Sequence, residues 1–391
     1  MPLNRREKLE RYVLAVIEER RNGWVDRAVR LLLRGFSLVF RLLVQLRLWM
    51  YRQGWFRQRA LGCQVISVGN LTVGGTGKTP VVETIARELS RAGRKVAILS
   101  RGYKKESPPL WRRLLDYIRG RRRRLEPLVV SDGQRLLLDS ATGGDEPFML
   151  ASNLPDVVVL VGRDRVRSGR RAIQEFGCDT LILDDGFQYL RLRHRLDVVL
   201  VDRTNPFGNH WLLPAGILRE PVRNIRRANF IFITKSTGDG AAELQATLRR
   251  YNPDAEISEC RHCPRYLREV YTRETRPLEF LKGLDVGAIS GIAAPKGFEE
   301  VLVNLGARVL YHKRYADHHR YTQQEIIEAI NKAMARGAKA LITTEKDAVR
   351  FPHIERRDLP VYYLRVEIEM LSGSEAFRDW IHRICFRPPG G

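Results

Sequence analysis

The 391-residue chain lacks the marks of an exported or membrane-spanning protein. Its five cysteines are odd in number and widely scattered, so we expect no disulfide framework and a reducing compartment. The first twenty residues hold no uncharged apolar core followed by a small-residue cleavage site, which argues against a secretory signal. No uncharged apolar run approaches the roughly 18 residues that a membrane-spanning helix needs. We therefore expect the chain in the cytosol or facing it.

The ligands of a structural zinc site are also missing. Cys260 and Cys263 form one CxxC pair with His262 between them. Structural zinc normally takes four ligands, and the sequence has no second pair. We expect a loop with two thiols there.

Acidic residues are scarce relative to basic ones. Lys and Arg number 68 against 45 Asp and Glu, which gives a formal net charge of +23. Such a balance favours an anionic partner, either nucleic acid, an acidic membrane surface or a phosphorylated substrate. No acidic residue at all occurs from Arg27 through Val82. Composition alone does not choose among the three partners.

The stretch from Trp24 to Arg52 combines many large apolar residues with regularly spaced polar ones. The polar positions follow each other by three or four, which places them in one stripe along a helix: Arg27, Arg30, Arg34, Ser37, Arg41 and Gln45. A basic stripe beside a broad apolar face, with tryptophans near both ends, is typical of a helix lying in the plane of a membrane surface. The alternative is a helix whose apolar face packs on the protein's own core.

A second basic feature is the arginine-rich block of residues 112–124, in which only Asp116 opposes the positive charge. Such a block is usually a solvated loop or helix face. Contact with a phosphate or an anionic lipid is the sharper interpretation. Both interpretations stay open.

The strongest chemical signal is the string VISVGNLTVGGTGKTP at residues 65–80, which runs from a strand through a Gly-rich loop into a helix. Such a loop turns its backbone N–H groups toward phosphate oxygens at a helix N-terminus. The lysine then reaches the β- and γ-phosphates, and the next hydroxyl serves Mg²⁺. The usual phosphate-loop pattern would place Gly where this chain has Thr72. The predicted nucleotide site comprises Gly74, Gly75, Thr76, Gly77, Lys78 and Thr79.

A partner for the metal lies in LILDDGFQ, residues 181–188. Asp184 and Asp185 end an apolar strand, at the carboxyl edge of a sheet where ligands of open α/β sheets bind. Either carboxylate suits Mg²⁺, which a phosphate-loop enzyme requires. The alternative is a pair of turn-forming aspartates before Gly186. The GTP-reading pattern N-K-x-D is absent, so ATP is favoured over GTP.

Short β-branched runs alternate with helical patterns over most of the chain. This alternation predicts an α/β fold like that of the phosphate-loop NTPases, with a mostly parallel sheet flanked by helices. Candidate strands lie at 65–68, 95–99, 157–161, 180–184, 197–201, 229–233, 285–289, 307–311, 339–343 and 361–366. We expect a helical region over 1–60, a phosphate-loop domain over 61–270 and a smaller α/β domain over 271–391.

Nine short strings occur in the order seen in the tetraacyldisaccharide 4'-kinase family, the lipid A kinases, which this chain resembles from about Trp24 onward. They are VGNLTVGGTGKTP at 68–80, SRGY at 100–103, VVSDG at 129–133, GDEP at 144–147, VGRDR at 161–165, DDGFQ at 184–188, LLPAGILREP at 212–221, DHH at 317–319 and TTEKDAVRF at 343–351. Thr at position 72 is also typical of that family. The arginine-rich stretch around 106–126 and the extension before Trp24 depart from it.

The resemblance implies ATP-dependent phosphorylation of the 4'-hydroxyl of a tetraacylated glucosamine disaccharide 1-phosphate, giving the bisphosphorylated lipid A precursor. It implies ATP and Mg²⁺ as cofactors and a peripheral position on the cytoplasmic face of the bacterial inner membrane. The expected partners are the acylated disaccharide and an anionic membrane surface, with no nucleic acid.

The resemblance also assigns roles to residues. Asp145 is expected to be the catalytic base and His318 to pair with it, with Lys78 completing the catalytic set. The softer assignments are Gln188, Arg163 and Arg165 as substrate contacts, and Thr79, Asp184, Asp185 and Glu220 as magnesium or active-site ligands.

Structural roles compete with several of these assignments. Asp145 suits the N-cap of a helix beginning near Pro147. His318 suits a turn ahead of the capping box that Thr322 opens, and the adjacent His319 is an alternative partner for Asp145. Arg163 and Arg165 are compatible with a solvated pair at a helix start.

Two rival functions share parts of this pattern. One is a basic phosphate-loop ATPase that binds nucleic acid or a partner protein and uses hydrolysis as a switch, although no nucleic-acid motif is recognisable. The other is a peripheral kinase acting on a different glycolipid, which shares all of the chemistry.

Overall fold

The structure is a computed structural model that describes residues 12, 15–17, 21, 23–102 and 126–386. The arginine-rich block of residues 112–124 lies outside the described residues, as do most of residues 1–22. The chain divides into two compact units, each assembled from separated segments. Unit 1 comprises Met1–Lys78, Leu183–Arg261 and Met370–Trp380, and unit 2 comprises Thr79–Ile182, His262–Glu369 and Ile381–Gly391. The three-part division at residues 60 and 270 stays a prediction.

The described elements follow the predicted alternation of strands and helices. The strands are β1 Gln64–Asn70, β2 Val96–Ser100, β3 Leu128–Asp132, β4 Val158–Val161, β5 Thr180–Asp184, β6 Leu196–Asp202, β7 Phe230–Thr234, β8 Glu256–Glu269, β9 Thr275–Arg276, β10 Asp285–Ser290, β11 Arg308–Arg314, β12 Ala340–Thr344 and β13 Val361–Met370. The α-helices are α1 Trp24–Arg52, α2 Lys78–Arg91, α3 Ser140–Gly143, α4 Asp145–Asn153, α5 Arg165–Phe176, α6 Ala242–Tyr251, α7 Pro295–Asn304, α8 Gln323–Met334, α9 Glu345–Ala348 and α10 Ser374–Phe386. Two 3₁₀ helices cover Val222–Arg227 and Leu278–Leu281.

In unit 1 the central strand β6 pairs in parallel with β1 on one side and β7 on the other, and β7 pairs in parallel with β8. All seven residues of β1 and all five of β7 are buried, and β7 is apolar throughout except for Thr234 at its end. Because the strands are parallel, their carboxyl ends meet at one edge, which carries Asn70, Asp202 and Thr234.

In unit 2 two groups of strands are mostly parallel. Strand β2 pairs in parallel with β4, while β3 runs antiparallel to β4. Strand β10 lies between β11 and β12, and β13 follows β12, all in parallel. Helices α7 and α8 bury Phe298, Leu302 and Ile330 in apolar clusters beside these strands. The predicted α/β class with a mostly parallel sheet is confirmed.

The predicted strands agree with the observed ones to within a few residues at most ends, but three observed strands were missed. Strand β8 occupies Glu256–Glu269, close to the predicted domain boundary at residue 270. The predicted loop at Cys260 and Cys263 is therefore wrong, because both cysteines lie within β8. Polar residues occupy partly exposed positions of this long strand, so its sequence does not show the apolar–polar alternation that predicts a strand. Strand β3, Leu128–Asp132, ends in the polar residues Ser131 and Asp132, which are typical of a turn. Strand β9, Thr275–Arg276, is too short to show a period.

Helix α1 presents its polar stripe to unit 1 and its apolar face to solvent. The buried Ser37 hydroxyl donates to the Leu212 carbonyl at 2.9 Å, and the Arg34 guanidinium lies 5.1 Å from the centre of the Trp211 ring. Leu31 and Leu42 are 75% and 70% exposed. Most of the large apolar side chains of α1 are therefore not covered by the protein's own core, although Phe40 packs against the core of unit 1 and Leu48 is buried. Within the described part of the chain, no helix combines the length and the apolar character that crossing a membrane requires.

Candidate active site

The phosphate loop of unit 1 links the end of β1 to the start of α2 at Lys78. Gly74 and Gly77 have φ angles of +118° and +79°, a backbone region in which residues with side chains are strained. The loop is fixed by the segment around Leu218. The Val73 amide donates to the Ile217 carbonyl at 2.7 Å, and Thr72 forms a β-bridge with Leu218. These contacts tie the phosphate loop to the segment around Leu218.

The inner surface of the loop suits a phosphate group. A side chain added at Gly74 or Gly75 would meet no described atom within 4 Å, so space lies over the backbone there. The Thr76 hydroxyl is buried and has no hydrogen-bond partner among the described residues. The Thr76 carbonyl accepts from the Thr234 hydroxyl at 2.9 Å, which ties the loop to the end of β7. An unpaired buried hydroxyl beside open space over a glycine backbone fits an oxygen-rich ligand.

Lys78 meets a carboxylate and an amide at the end of the neighbouring strand. Its ammonium lies 3.2 Å from the Asn70 side-chain oxygen and 3.5 Å from Asp185 Oδ1. Arg219 holds the same carboxylate, donating from Nη1 to Oδ1 at 2.7 Å and to Oδ2 at 2.9 Å. Burial alone would raise the pKa of Asp185, but Lys78 and Arg219 outweigh burial and hold that pKa below its ordinary value. Asp185 is therefore ionised near neutral pH.

Gln188 joins the same cluster. Its side-chain amide donates to the Asn70 carbonyl at 3.0 Å, and its Oε1 lies 3.5 Å from Arg219 Nη1. Arg47 of α1 donates to the Gln188 backbone carbonyl at 3.1 Å. The predicted substrate contact thus lies beside the predicted metal carboxylate and is linked to the amphipathic helix.

The other predicted metal ligands have different surroundings. Asp184 is buried at the end of β5. Glu220 is also buried, and its Oε2 accepts hydrogen bonds from Asn224 and Arg227, each at 2.8 Å. Among the described residues no three His, Cys, Asp or Glu side chains gather as a metal site. Mg²⁺ does not need such a cluster, because it usually takes one or two carboxylates together with phosphates and waters. The hard oxygens of Asp184 and Asp185 suit it.

In unit 2, Asp145 is the first residue of α4, and Gly144 rather than Asp145 is its N-cap. The carboxylate is held by two guanidinium groups. Arg350 donates from Nε to Oδ2 at 2.7 Å, and Arg320 donates from Nη2 to Oδ1 at 3.0 Å. Nδ1 of His318 lies 3.4 Å from Oδ2. The structure thus brings Asp145 and His318 together.

His318 lies in a turn with φ of +63°, and its amide donates to the Gly291 carbonyl at 3.2 Å. Burial and the neighbouring Lys346 lower the pKa of His318, which favours the neutral ring. His319 points elsewhere, since its Nε2 lies 3.0 Å from Glu325 Oε1 and its ring stacks on Tyr315. Of the two adjacent histidines, His318 is the one beside Asp145.

The support for this pair comes from the TTEKDAVRF string, whose residues received no role from the sequence. Thr344 caps the short helix α9 by accepting from the Asp347 amide at 3.1 Å. The fully buried Asp347 accepts from the Gly291 amide, the Tyr321 hydroxyl and Arg350, all at 3.0–3.1 Å. Arg350 is thereby fixed with its Nε aimed at Asp145. The motif includes these residues, but only the structure shows what they contact.

A buried ion cluster anchors the start of α9. Arg365 of β13 donates to both carboxylate oxygens of Glu345, at 2.9 and 2.8 Å, and also pairs with Glu83. Asn153, at the end of α4, donates to Glu345 at 2.7 Å. These contacts connect α9 to the helix that begins with Asp145, so both parts of the Asp145–His318 cluster share one support.

The two predicted phosphate-binding arginines differ in exposure. Arg163 is exposed, whereas Arg165 is buried as the first residue of α5, behind the N-cap Asp164. The alternative of a solvated pair therefore fits Arg163 but does not fit Arg165.

The chain is similar to known proteins along most of its length. A family model described as tetraacyldisaccharide-1-P 4'-kinase matches residues 29–385. A tetraacyldisaccharide 4'-kinase of Halothermothrix orenii is 34% identical over 95% of this chain and 97% of the relative, and one of Anaeromyxobacter dehalogenans is 40% identical over 86% and 85%. Among solved structures, LpxK of Aquifex aeolicus in complex with ATP matches with a TM-score of 0.70 and 29% identity, over 92% of this chain and all of that one.

Proposed function

The chain belongs to the tetraacyldisaccharide-1-P 4'-kinase family, and on that premise we propose how its residues share the work of phosphoryl transfer. It is an ATP-dependent kinase that phosphorylates the 4'-hydroxyl of tetraacyldisaccharide 1-phosphate, a step of lipid A biosynthesis. The observation that carries our assignment of residues is the braced phosphate loop whose lysine meets Asp185.

Residues 74–79 bind the triphosphate of ATP in this proposal. Backbone N–H groups of the loop and the Thr76 hydroxyl donate to phosphate oxygens, and Lys78 turns from Asp185 to the β- and γ-phosphates. Thr79, Asp184 and Asp185 hold Mg²⁺, with Glu220 as a further acidic group nearby. When bound, Mg²⁺ neutralises charge on the phosphate oxygens.

Asp145 acts as the general base. As the sugar 4'-oxygen forms its bond to the γ-phosphorus, the O–H bond breaks and Asp145 takes the proton, while the bond from the γ-phosphorus to the bridging oxygen breaks and ADP leaves. The carboxylate needs a free lone pair for this proton. Arg320, whose side chain is 51% exposed, is the partner that can move away, whereas Arg350 is completely buried.

Gln188, Arg163 and Arg165 are the proposed contacts to the acylated disaccharide. Gln188 is supported by its position between Arg219 and helix α1. The two arginines are supported by their charge, which suits the phosphate of the substrate. Arg219, which the sequence did not single out, orients Asp185 and belongs to the same set.

We also propose that helix α1 docks on an anionic bilayer surface, at the cytoplasmic face of the bacterial inner membrane where the lipid substrate is embedded. Its solvent-facing side carries a continuous set of large apolar side chains: Trp24, Leu31, Leu32, Phe36, Leu38, Val39, Leu42, Leu43, Leu46 and Trp49. Positive charge flanks this face, because Arg52 lies near Arg226 and Arg227, and burial together with these neighbours lowers the pKa of Arg52. Exposed apolar area beside clustered arginines matches a bilayer rich in anionic lipids.

Transfer of label tests the kinase assignment. The protein is incubated with γ-labelled ATP and tetraacyldisaccharide 1-phosphate in mixed micelles, and the position of the label is then determined. We expect label on the 4'-oxygen, and none with Lys78→Ala. Release of labelled inorganic phosphate without labelled lipid would favour an ATPase switch. Preferential labelling of a different glycolipid would favour the other rival.

Sedimentation with anionic vesicles tests the docking proposal. Replacing Leu31, Leu42 and Leu46 with Ser removes exposed apolar area, and we expect vesicle binding to fall at least about tenfold. Leu136→Ser with Leu137→Ser is the matched control, because these leucines are also about half exposed but lie outside α1. Unchanged binding of the α1 variant, or an equal loss in the control, would contradict docking through this face.

A further inference from the structure

We propose that Lys346 is a positioning residue that keeps the His318 ring neutral, with its proton on Nδ1, so that the ring donates to Asp145. This inference rests on the proposed role of Asp145 as the base. It adds a residue to the catalytic cluster that neither the sequence nor the family resemblance assigned.

The ammonium group of Lys346 approaches one nitrogen of the His318 ring. The Lys346 Nζ lies 3.3 Å from His318 Nε2. An ammonium only donates hydrogen bonds, so it can meet Nε2 favourably only when that nitrogen presents a lone pair. The neutral ring then carries its single proton on Nδ1, the atom that lies 3.4 Å from Asp145 Oδ2. Lys346 thus favours the tautomer that links the histidine to the base.

Of the other charged groups around His318, some favour the neutral ring and others favour the protonated ring. Arg350 Nη2, which also only donates, lies 3.4 Å from Nδ1. Like Lys346, Arg350 disfavours a protonated ring, but it competes with Asp145 for Nδ1 and favours the other tautomer. In the proposal, Lys346 at Nε2 and Asp145 at Nδ1 together outweigh Arg350. Two carboxylates favour a protonated ring. They are Asp317, whose Oδ2 lies 3.9 Å from Nε2, and Asp145. Asp317 is 40% exposed and also faces Lys346 at 3.8 Å, so water and the lysine weaken its effect. Burial adds to the two cations and favours the neutral ring.

Two further charged groups face the cluster from neighbouring elements. Arg320 reaches His318 only through Asp145, on whose other oxygen it lies. Glu146, the second residue of α4, lies 3.9 Å from the Lys346 ammonium and helps to hold it between α4 and the His318 turn. Lys346 lies directly against Nε2, whereas these two groups act on the ring through Asp145 and through Lys346.

The position of Lys346 is fixed by its helix. Lys346 follows Glu345, which Arg365 and Asn153 hold in a buried cluster, and it precedes the fully buried Asp347. The lysine side chain itself is about one quarter exposed, so its stem extends from an anchored backbone toward the ring. Replacing it should therefore change the electrostatics at His318 without disturbing the core.

A protonated ring would have a specific cost for the proposed reaction. It would place a third cation beside Asp145, in addition to Arg350 and Arg320, and would weaken the carboxylate as a proton acceptor. Activity should then fall as the pH drops through the pKa of His318. By keeping that pKa low, Lys346 extends the active range toward acidic pH.

The test reads the histidine directly. In full-length protein labelled with ¹⁵N in its imidazoles, we expect the His318 signals to show a neutral ring protonated on Nδ1, with His318→Gln identifying them. In Lys346→Met the pKa of His318 should rise by about one pH unit, and the acid limb of kcat should move to higher pH by the same amount. Lys346→Arg, which keeps a cationic donor, should behave like the wild type. Lys346→Gln serves as a second variant should the methionine variant unfold.

Three results would overturn the proposal, two of them from the histidine itself. One is a wild-type ring protonated on Nε2, and the other is an unchanged pKa of His318 in the folded Lys346 variants. A rise in KM for ATP with an unmoved acid limb would assign Lys346 to nucleotide binding and would also overturn it. The ¹⁵N measurement needs no turnover, so failure of the proposed role of Asp145 would appear separately, as normal phosphoryl transfer by Asp145→Asn.

Discussion

The two units each hold one functional carboxylate between two cations, but they hold it differently. Asp185 of unit 1 lies between Lys78 and Arg219, whose side chains are both partly open to solvent. Asp145 of unit 2 lies between Arg350, which is completely buried, and Arg320, which is half exposed. The first carboxylate therefore has two partners that can rearrange, whereas the second has one permanent partner and one that can leave.

This difference matches the two proposed tasks. A carboxylate that shares a metal and a lysine with ATP must exchange its partners each time a nucleotide binds. A general base must instead keep one orientation while exposing a lone pair to the substrate hydroxyl. Fixing Asp145 through the buried Arg350 and the neutral His318, and covering it with a solvent-exposed arginine, meets both needs.

The largest effect should come from removing the lysine of the unit 1 site. Lys78→Ala should lower kcat/KM by about three orders of magnitude, because the charge of the transferring phosphoryl group loses its nearest cation. ATP affinity should weaken as well, which isothermal titration would measure. Lys235→Ala is a control on another partly exposed lysine of the same unit. Near-normal turnover of Lys78→Ala would remove this residue from the mechanism.

A somewhat smaller effect should follow from removing the buried partner of Asp145. Arg350→Met leaves the fully buried Asp347 and the nearly buried Asp145 without their shared guanidinium. Breaking a buried ion pair on one side costs about 3 kcal/mol or more, so the free energy of unfolding in urea should fall by that amount. Arg350→Lys keeps the charge but loses the fork of donors, and it should recover only part of the stability. Wild-type stability of the Met variant would show that Arg350 anchors nothing.

The smallest effect should come from the exposed partner of the same carboxylate. Arg320→Ala removes a half-exposed ion pair, which contributes about 1 kcal/mol or less to stability. We expect unfolding close to that of the wild type and turnover changed less than about tenfold. If Arg320→Ala lost as much stability as Arg350→Met, Arg320 could not be the partner that leaves Asp145 while Arg350 stays fixed.

Much of the fold and part of the site could be predicted from the sequence. The phosphate loop, the Asp184–Asp185 strand end and the helix at Trp24–Arg52 each carry a local pattern with a direct physical cause. The capping box opened by Thr322 was equally readable and is confirmed. The catalytic roles themselves stay predictions.

The residues that sequence reasoning missed act over long separations in the chain. Arg219 reaches Asp185 because the segment around Leu218 pairs with the phosphate loop, and Arg350 reaches Asp145 across more than 200 residues. No local periodicity records such contacts. The sequence also did not show which face of α1 contacts the rest of unit 1. A helical pattern shows that one face is apolar, but it does not show which face the protein covers.

Single-turnover transfer by Asp145→Asn tests the central claim most directly. The variant keeps the size of the side chain and removes its basicity, while leaving the phosphate loop intact. With γ-labelled ATP and the acylated disaccharide, we predict an ATP dissociation constant within about twofold of the wild type and a transfer rate lower by roughly 10²-fold or more. Transfer at the wild-type rate by a folded Asp145→Asn protein would contradict the assignment of Asp145 as the base.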